Sequence, residues 1–164
     1  MDETTPNGDN ARPFSRFLPG RQWLFLLGCL LVAAILRFYD LNWDAGHFFH
    51  PDERNIANAV TKIHFFDQLN PEFFAYGGLT IYLYRAAGDL LVKLTGDPAW
   101  VADWGRINLV GRWFSALFST LTVLPIFFLA RRLFNARVAA IAALLFVFCT
   151  GAIQIAHYSI TESL

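Results

Sequence analysis

Hydrophobic and polar positions alternate along this chain in long blocks. Three predominantly apolar blocks cover about residues 23–36, 109–130 and 138–155, and a long mixed block separates the first from the second. Spanning about 30 Å of hydrocarbon takes roughly 20 helical residues, so the first block must extend past Arg37, whose long side chain can reach the interface. The pattern predicts three transmembrane helices, over 21–39, 109–130 and 138–156.

The mixed block, residues 40–108, carries a shorter helical pattern of its own. Apolar residues recur there at the i, i+3, i+4, i+7 spacing of an amphipathic helix, at Ile56, Ala59, Val60, Ile63 and Phe66. Pro51 suits the first helical position, which places Asp52 and Glu53 in the first turn. The free N–H groups and the helix dipole favour anionic side chains there, so both carboxylates are expected to act as bases.

A second helix is predicted in the same block, from about Leu79 to Leu94. Arg85, Asp89 and Lys93 lie four residues apart with alternating charge, which predicts one polar face. We therefore expect this helix to lie in the membrane interface and not to cross it.

Composition supports a membrane protein. Hydrophobic residues are 55% and charged residues 16% of the chain, against about 45–50% and about 25% in soluble domains. The formal net charge is +0, so charge gives no argument for nucleic acid as a partner. Cys29 and Cys149 lie within apolar blocks and indicate neither a disulfide framework nor a zinc site.

The distribution of charge predicts the topology. Arginines cluster just before the first apolar block and between the second and third, at Arg12, Arg16, Arg21, Arg131, Arg132 and Arg137, whereas acids concentrate in residues 38–108. The positive-inside rule then places a disordered tail (1–20) and a link (131–137) in the cytoplasm. Residues 40–108 and the loop that begins at 157–164 lie outside, in a multi-pass plasma (inner) membrane protein.

An alternative for the first apolar block is a cleaved signal peptide, since basic residues precede a short apolar core. No small-x-small cleavage site follows it. Both interpretations place the next loop on the non-cytoplasmic side.

Ionisable residues that could take part in catalysis are most concentrated between His47 and Asn55. Ionisable groups at a membrane boundary are costly and often functional, so Asp52 and Glu53 are candidate catalytic carboxylates. The alternatives are an acid that only stabilises the first helical turn and, for Glu53, a structural or metal-linked role. His47 and His50 could bind a divalent metal ion with these carboxylates, or could make ordinary hydrogen bonds.

Other charged residues are candidates for binding substrate. Arg54, Arg85, Arg106 and Arg112 could pair with a lipid phosphate, or could instead neutralise nearby acids or contact headgroups. Three crossings would return Glu162 to the same side as Asp52, so Glu162 is a further catalytic candidate, with His157 beside it.

Taken in order, five segments resemble the GT-C superfamily of polyprenyl-phosphate-sugar-dependent transferases, and most of all its protein mannosyltransferase and aminoarabinose transferase branch. The segments are His50-Pro51-Asp52-Glu53, the stretch from Asn70 to Gly77, Arg112 to Leu117, Ala130 to Phe134, and Ala156 to Glu162. The resemblance covers about residues 20–164. It implies an all-α integral membrane fold, in which three transmembrane helices and a long outer loop with interfacial helices form the N-terminal part of a larger GT-C structure.

The resemblance also implies site roles. Asp52 would be the catalytic carboxylate, and Glu162 would occupy the place of a second acid that is usually aspartate in that branch. Arg54, Tyr76, Arg112 and His157 are the candidate substrate-binding residues.

The implied activity is inverting transfer of a sugar from a polyprenyl-phosphate carrier in the membrane to a protein or glycolipid acceptor on the outer face. A transporter or flippase of lipid-linked sugars and a non-catalytic assembly subunit are the alternatives. Because three spans cannot enclose such a donor, we expect the native polypeptide to be larger than this chain.

Overall fold

The computed structural model describes residues 20–47 and 49–161 and is almost entirely helical in that part of the chain. An isolated bridge between His64 and Gln68 is the only β-type pairing there, and no strand forms among the described residues. The helices are α1 (Gly20–Phe38), α2 (Pro51–Lys62), α3 (Gly78–Thr95), α4 (Ala99–Ala102), α5 (Trp104–Leu121), α6 (Val123–Leu133), α7 (Ala136–Val147) and α8 (Thr150–Ala156). The predicted tail and Glu162 lie outside the described residues, apart from Gly20.

Two helical stretches are long and apolar enough to cross a membrane, and a third is a bent pair. These are Gly20–Phe38, Trp104–Leu133 across α5 and α6, and α7 with α8, which meet at 52°. They coincide with the three apolar blocks of the sequence, so the all-α membrane fold is confirmed. The bounds of the individual spans and loops stay predictions.

The second stretch changes helix at Thr122 for a reason that the sequence contains. Pro125 has no N–H to donate to the carbonyl of Leu121, so the regular hydrogen-bond ladder is interrupted there. α5 ends at Leu121 and α6 begins at Val123. The hydroxyl of Thr122 donates to the carbonyl of Phe118 at 2.7 Å, and the chain continues in nearly the same direction.

Two apolar clusters hold the helices together. One joins α1, α6 and α7 through Leu26, Cys29, Ala33, Val123, Phe127, Ala139, Ala143 and Val147. The other joins α2, α3 and α5 through Ile56, Ala57, Ala59, Val60, Ile63, Ile81, Tyr84 and Ile107. Small residues allow close packing in the first cluster, where Ala139 and Ala143 are fully buried.

Helix α2 follows the sequence prediction at its start but not at its end. Pro51 occupies the first turn with Asp52 and Glu53, and Ile56, Ala59, Val60 and Ile63 are buried as the spacing predicts. Phe66 was expected on the same face, but the helix stops at Lys62. Phe66 has a φ of 75° and is 98% exposed, so its assignment to the buried face was wrong.

The polar face predicted for α3 is divided in the structure, because Arg85 points inward while Lys93 is exposed. Arg85 is only 7% exposed, and its Nε lies 3.1 Å from the carboxylate of Asp89. This pairing one helical turn apart satisfies the two charges locally, which lets the helix turn that side toward α2 and α5. Most exposed residues of α3 are apolar, and the polar ones, Lys93 and Thr95, lie at its C-terminal end.

Candidate active site

Asp52 lies in the first turn of α2, with its carboxylate partly open. The His50 side chain caps the helix, because its Nδ1 accepts the Asp52 N–H at 3.3 Å. The same nitrogen is 3.7 Å from Asp52 Oδ2, and about 29% of the Asp52 side chain is exposed. The helix start therefore presents one carboxylate at the surface beside an imidazole.

Glu53 points in the opposite direction, into the protein. Its side chain is 0% exposed, and its two oxygens accept hydrogen bonds from Nε and Nη2 of Arg112 at 2.8 and 2.9 Å. The N–H of Ser159 donates to the same carboxylate at 2.8 Å. Glu53 thus joins the start of α2 to α5 and to the segment after α8.

Arg112 has a second carboxylate on its other side. Its Nη1 and Nη2 donate to the Asp44 carboxylate at 3.0 and 2.6 Å, and Nη1 also donates to the carbonyl of Leu41 at 2.9 Å. A guanidinium has five N–H groups, and the contacts to Asp44, Leu41 and Glu53 use all five. We call Asp44, Glu53 and Arg112 the buried ion cluster; two carboxylates and one guanidinium leave it with one net negative charge.

Aromatic rings cover this cluster. The Trp43 ring lies 5.6 Å from the guanidinium carbon of Arg112 and contacts the rings of Phe49 and Tyr158, both at 5.8 Å between centroids. Tyr158 also contacts the His50 ring at 5.1 Å. The segment after α8 therefore packs directly on the segment that precedes Asp52.

Helix α3 also packs close to the segment after α8. An added Cβ at Gly111 of α5 would lie 2.6 Å from Cε2 of Tyr84 and 2.7 Å from Cβ of Ser159. Burial raises the pKa of Tyr84 above its ordinary value. Tyr84 is thus a neutral phenol packed between α3, α5 and Ser159.

His157 ties α8 to the end of α1. Its Nε2 is 2.9 Å from the carbonyl oxygen of Tyr39, and its Nδ1 is 2.7 Å from that of Ile153. Both ring nitrogens therefore face backbone acceptors. In this arrangement His157 bridges two helix ends, and its binding of substrate stays a prediction.

The remaining predicted binding residues lie in different parts of the fold. Arg54 is exposed on α2. Tyr76 is half-buried between α2 and α3, with its ring 5.7 Å from that of Phe73. Arg112 and Glu53 belong to the buried ion cluster, where their charged groups face each other and not an open site.

The two histidines predicted as metal ligands do not converge. His47 contacts the carbonyl of Asp44 through Nδ1 at 2.7 Å and stacks on Phe49, while His50 caps α2. Within residues 20–47 and 49–161, no group of three or more His, Cys, Asp or Glu side chains is arranged to hold a metal ion. These residues alone do not form a metal site, and metal binding by His47 and His50 stays a prediction.

Sequence reasoning missed Asp44, Trp43, Tyr158 and Ser159 as parts of this site. The available signal was Arg112, a charge inside a predicted span, because such a charge needs a buried partner. Several acids around residues 40–53 could have supplied it, and the sequence alone does not say which ones.

Comparison with known proteins identifies the family. A family model described as "Oligosaccharyl transferase STT3, N-terminal" matches residues 52–154, more than half of the chain, and the match begins at Asp52. No curated protein and no solved structure matches the chain. The GT-C resemblance is confirmed at the level of the superfamily, whereas the mannosyltransferase and aminoarabinose transferase branch is not. The chain belongs to the STT3 family of oligosaccharyl transferases, a family of membrane glycosyltransferases.

Proposed function

We propose that this protein transfers a glycan from a polyprenyl-linked phosphate donor in the membrane to an acceptor, and that Asp52 is the catalytic carboxylate. The observation that carries the proposal is the placement of Asp52. It is a partly open carboxylate at a helix start, next to a buried ion cluster and within the residues that match the family. The family favours a lipid-linked oligosaccharide as donor and a protein as acceptor.

The chemistry requires such a group. In a single displacement, the acceptor nitrogen or oxygen forms a bond to the anomeric carbon while the bond from that carbon to the donor phosphate oxygen breaks. The anomeric configuration inverts, and the acceptor loses one proton. Asp52 can hold the acceptor by accepting its N–H or O–H hydrogen bond, and can take that proton as the bond forms.

The buried ion cluster supports this role by fixing where Asp52 points. Glu53 is adjacent in sequence, and its contacts with Arg112 and Ser159 fix how the first turn of α2 is rotated about the helix axis. Positioning of a reacting group within a fraction of an ångström contributes strongly to rate. We therefore assign Glu53 and Arg112 as positioning residues, in place of the catalytic and substrate-binding roles that the sequence suggests.

The test is Asp52→Asn in the full-length protein in its native membrane, with Asp67→Asn as the matched control. Asp67 is an exposed acid in the same outer segment, and the change removes one negative charge in each variant. Glycan transfer is measured with a labelled lipid-linked donor, and the amount of protein in the membrane is measured by immunoblot. We expect D52N to lose transfer by at least roughly 100-fold at unchanged protein level, and D67N to keep it.

Two results would contradict the proposal. Full transfer by D52N would exclude Asp52 as the catalytic carboxylate. Intact transfer together with release of a co-purifying protein would favour the alternative in which this segment is an assembly subunit.

A further inference from the structure

A stripe of apolar residues runs along the exposed surface of α3. Leu79, Leu90 and Leu94 are 76%, 56% and 72% exposed, and Leu83 and Ala86 lie between them on the same narrow stripe at helical spacing. Among the three charged residues of this helix, Arg85 is buried, the Asp89 side chain is 31% exposed and Lys93 is exposed near the C-terminal end. A helix in water usually exposes its charged face and buries its apolar one, so an exposed apolar stripe is suited to contact with lipid.

An apolar groove lies beside the stripe, between α3, α4 and α5. Its volume is about 480 Å³, and it is lined by Ala87, Leu90, Leu91, Trp100, Leu109, Val110, Trp113, Phe114 and Leu117. Leu90 belongs to both the stripe and the groove, so the two surfaces are continuous. The volume lies within the roughly 300–1,000 Å³ of small-molecule sites, but the lining offers no polar side chain except the indole N–H groups.

One wall of the groove is formed by α5, part of a predicted membrane span. Its α5 wall belongs to the Trp104–Leu133 stretch, which is long and apolar enough to span a bilayer. Trp113 and Leu117 are 58% and 41% exposed on that wall. Two tryptophans in the lining are typical of the region where hydrocarbon meets headgroups.

A cationic group lies at the Trp100 side of the groove. The guanidinium carbon of Arg106 is 4.7 Å from the Trp100 ring centroid, and the Arg106 side chain is 45% exposed. It also forms an ion pair with Asp97 at 3.5 Å, which occupies only part of a five-donor guanidinium. The rest can bind the oxygens of a phosphate.

We propose that this groove binds one acyl chain of a bilayer phospholipid with an anionic headgroup, whose phosphate contacts Arg106. The apolar lining accepts the chain, the exposed stripe of α3 rests on the surrounding lipid, and the cation selects the headgroup by charge. The site is separate from the Asp52 site and does not depend on the proposed transfer activity.

The experiment uses full-length protein, extracted and delipidated in detergent and then exposed to phosphatidylglycerol or phosphatidylcholine. Bound lipid is counted and identified by native mass spectrometry. Ala87→Trp fills the groove, and Ala86→Trp is its matched control, because Ala86 is the exposed neighbour on the stripe. Arg106→Gln removes the cation, and Arg137→Gln, an exposed arginine just inside α7, is the control for lost charge.

We expect wild type, A86W and R137Q to retain one phosphatidylglycerol, and A87W to lose it. R106Q should bind phosphatidylglycerol roughly tenfold more weakly, as for the loss of a charge-assisted contact, and should no longer distinguish it from phosphatidylcholine. R106Q leaves the groove itself intact, so the proposal can be tested even where A87W fails to fold.

Four results would overturn the proposal. Equal retention by A87W and wild type would place the lipid elsewhere, and equal binding of both lipids by wild type would exclude headgroup selection. Displacement by A87W of a co-purified lipid with the mass of a polyprenyl phosphate would assign the groove to the donor. Absence of any retained lipid in wild type would mean that the groove does not hold phospholipid.

Discussion

The buried ion cluster concentrates three charges where they are least favourable. Removing a carboxylate or guanidinium from water costs several kcal/mol per ion, and only good geometry offsets that cost. Here each Arg112 N–H has an acceptor, and Gly46 and Ser159 donate backbone N–H groups to Asp44 and Glu53. The cluster therefore serves to define one arrangement of four segments, and its removal should be costly.

Arg112→Ala tests this directly. Truncation leaves two buried carboxylates without their cation, so we expect the free energy of unfolding to fall by about 3–5 kcal/mol. For Arg112→Lys the free energy of unfolding should fall less, because lysine keeps the charge but cannot pair bidentately with both acids. Denaturation of the full-length protein in detergent measures both. Arg137→Ala, at an exposed position, should stay within about 0.5 kcal/mol of wild type; an R112A protein that is equally stable would exclude this account of the cluster.

The sequence predicts where helices form better than it predicts which side of each helix is buried. The start of α2 follows from Pro51 and two acids, which are local signals. The end of α2 and the inward turn of Arg85 on α3 depend on packing against α5, and periodicity does not contain that information. The contact of Glu53 with Ser159 joins residues 106 positions apart, so the sequence could identify the acids but not their partners.

The close approach of α5 to α3 depends on Gly111 of α5. An added Cβ at Gly111 would lie 2.6 Å from Tyr84 and 2.7 Å from Ser159. Gly111→Ala must therefore separate α5 from α3 and from Ser159, whose N–H donates to Glu53. Overpacking of this kind costs about 1–3 kcal/mol, and we expect a lower melting temperature together with reduced transfer.

Gly28→Ala is the matched control for that variant. Gly28 lies in the middle of α1, and a Cβ there would meet nothing within 4 Å. Alanine is the better helix former by about 1 kcal/mol, so G28A should be neutral or more stable. Equal melting temperatures for G111A and G28A would contradict the close contact at Gly111.

The bend between α7 and α8 is explained by Arg37, a fully buried residue of α1. Its guanidinium donates to the carbonyls of Phe146 and Val147 at 3.0 and 3.1 Å and to Ser119 Oγ at 2.8 Å. Carbonyls at a helix C-terminus lack intrahelical partners and carry partial negative charge. Arg37 thus stabilises an interruption that would otherwise expose backbone groups inside a membrane span.

Arg37→Leu should loosen that interruption. Without the guanidinium, the Val147 carbonyl and the Ser119 hydroxyl lose a donor, whereas the Phe146 carbonyl keeps the N–H of Cys149. Each buried group left unsatisfied costs about 1–3 kcal/mol. We expect faster amide hydrogen exchange in peptides covering residues 146–156. Arg21→Leu changes an exposed arginine near the other end of α1 and should leave exchange there unchanged. Identical exchange in R37L and wild type would exclude Arg37 as the stabilising group.

At the scale of the whole molecule, α5 connects the two apolar clusters. Near its C-terminus, Ser119 accepts a hydrogen bond from Arg37 of α1. Its N-terminal half carries Arg112 and packs on α2 and α3. Both sets of charged contacts therefore lie near the C-terminal end of α1, and the site lies where α1, α2, α5 and the segment after α8 meet. A single membrane orientation would place Asp52 and the exit from α8 on one side.

That orientation can be measured in the full-length protein by single-cysteine labelling, in a background with Cys29→Ala and Cys149→Ser. Arginines near the first span and between α6 and α7 place those ends in the cytoplasm by the positive-inside rule. We therefore expect Asp67→Cys to react with a membrane-impermeant maleimide in intact cells. Arg137→Cys should react only after permeabilisation, which makes it the internal control for membrane integrity. Labelling of position 137 in intact cells, with position 67 protected, would invert the topology and place Asp52 on the cytoplasmic side, where an acceptor on the outer face could not reach it.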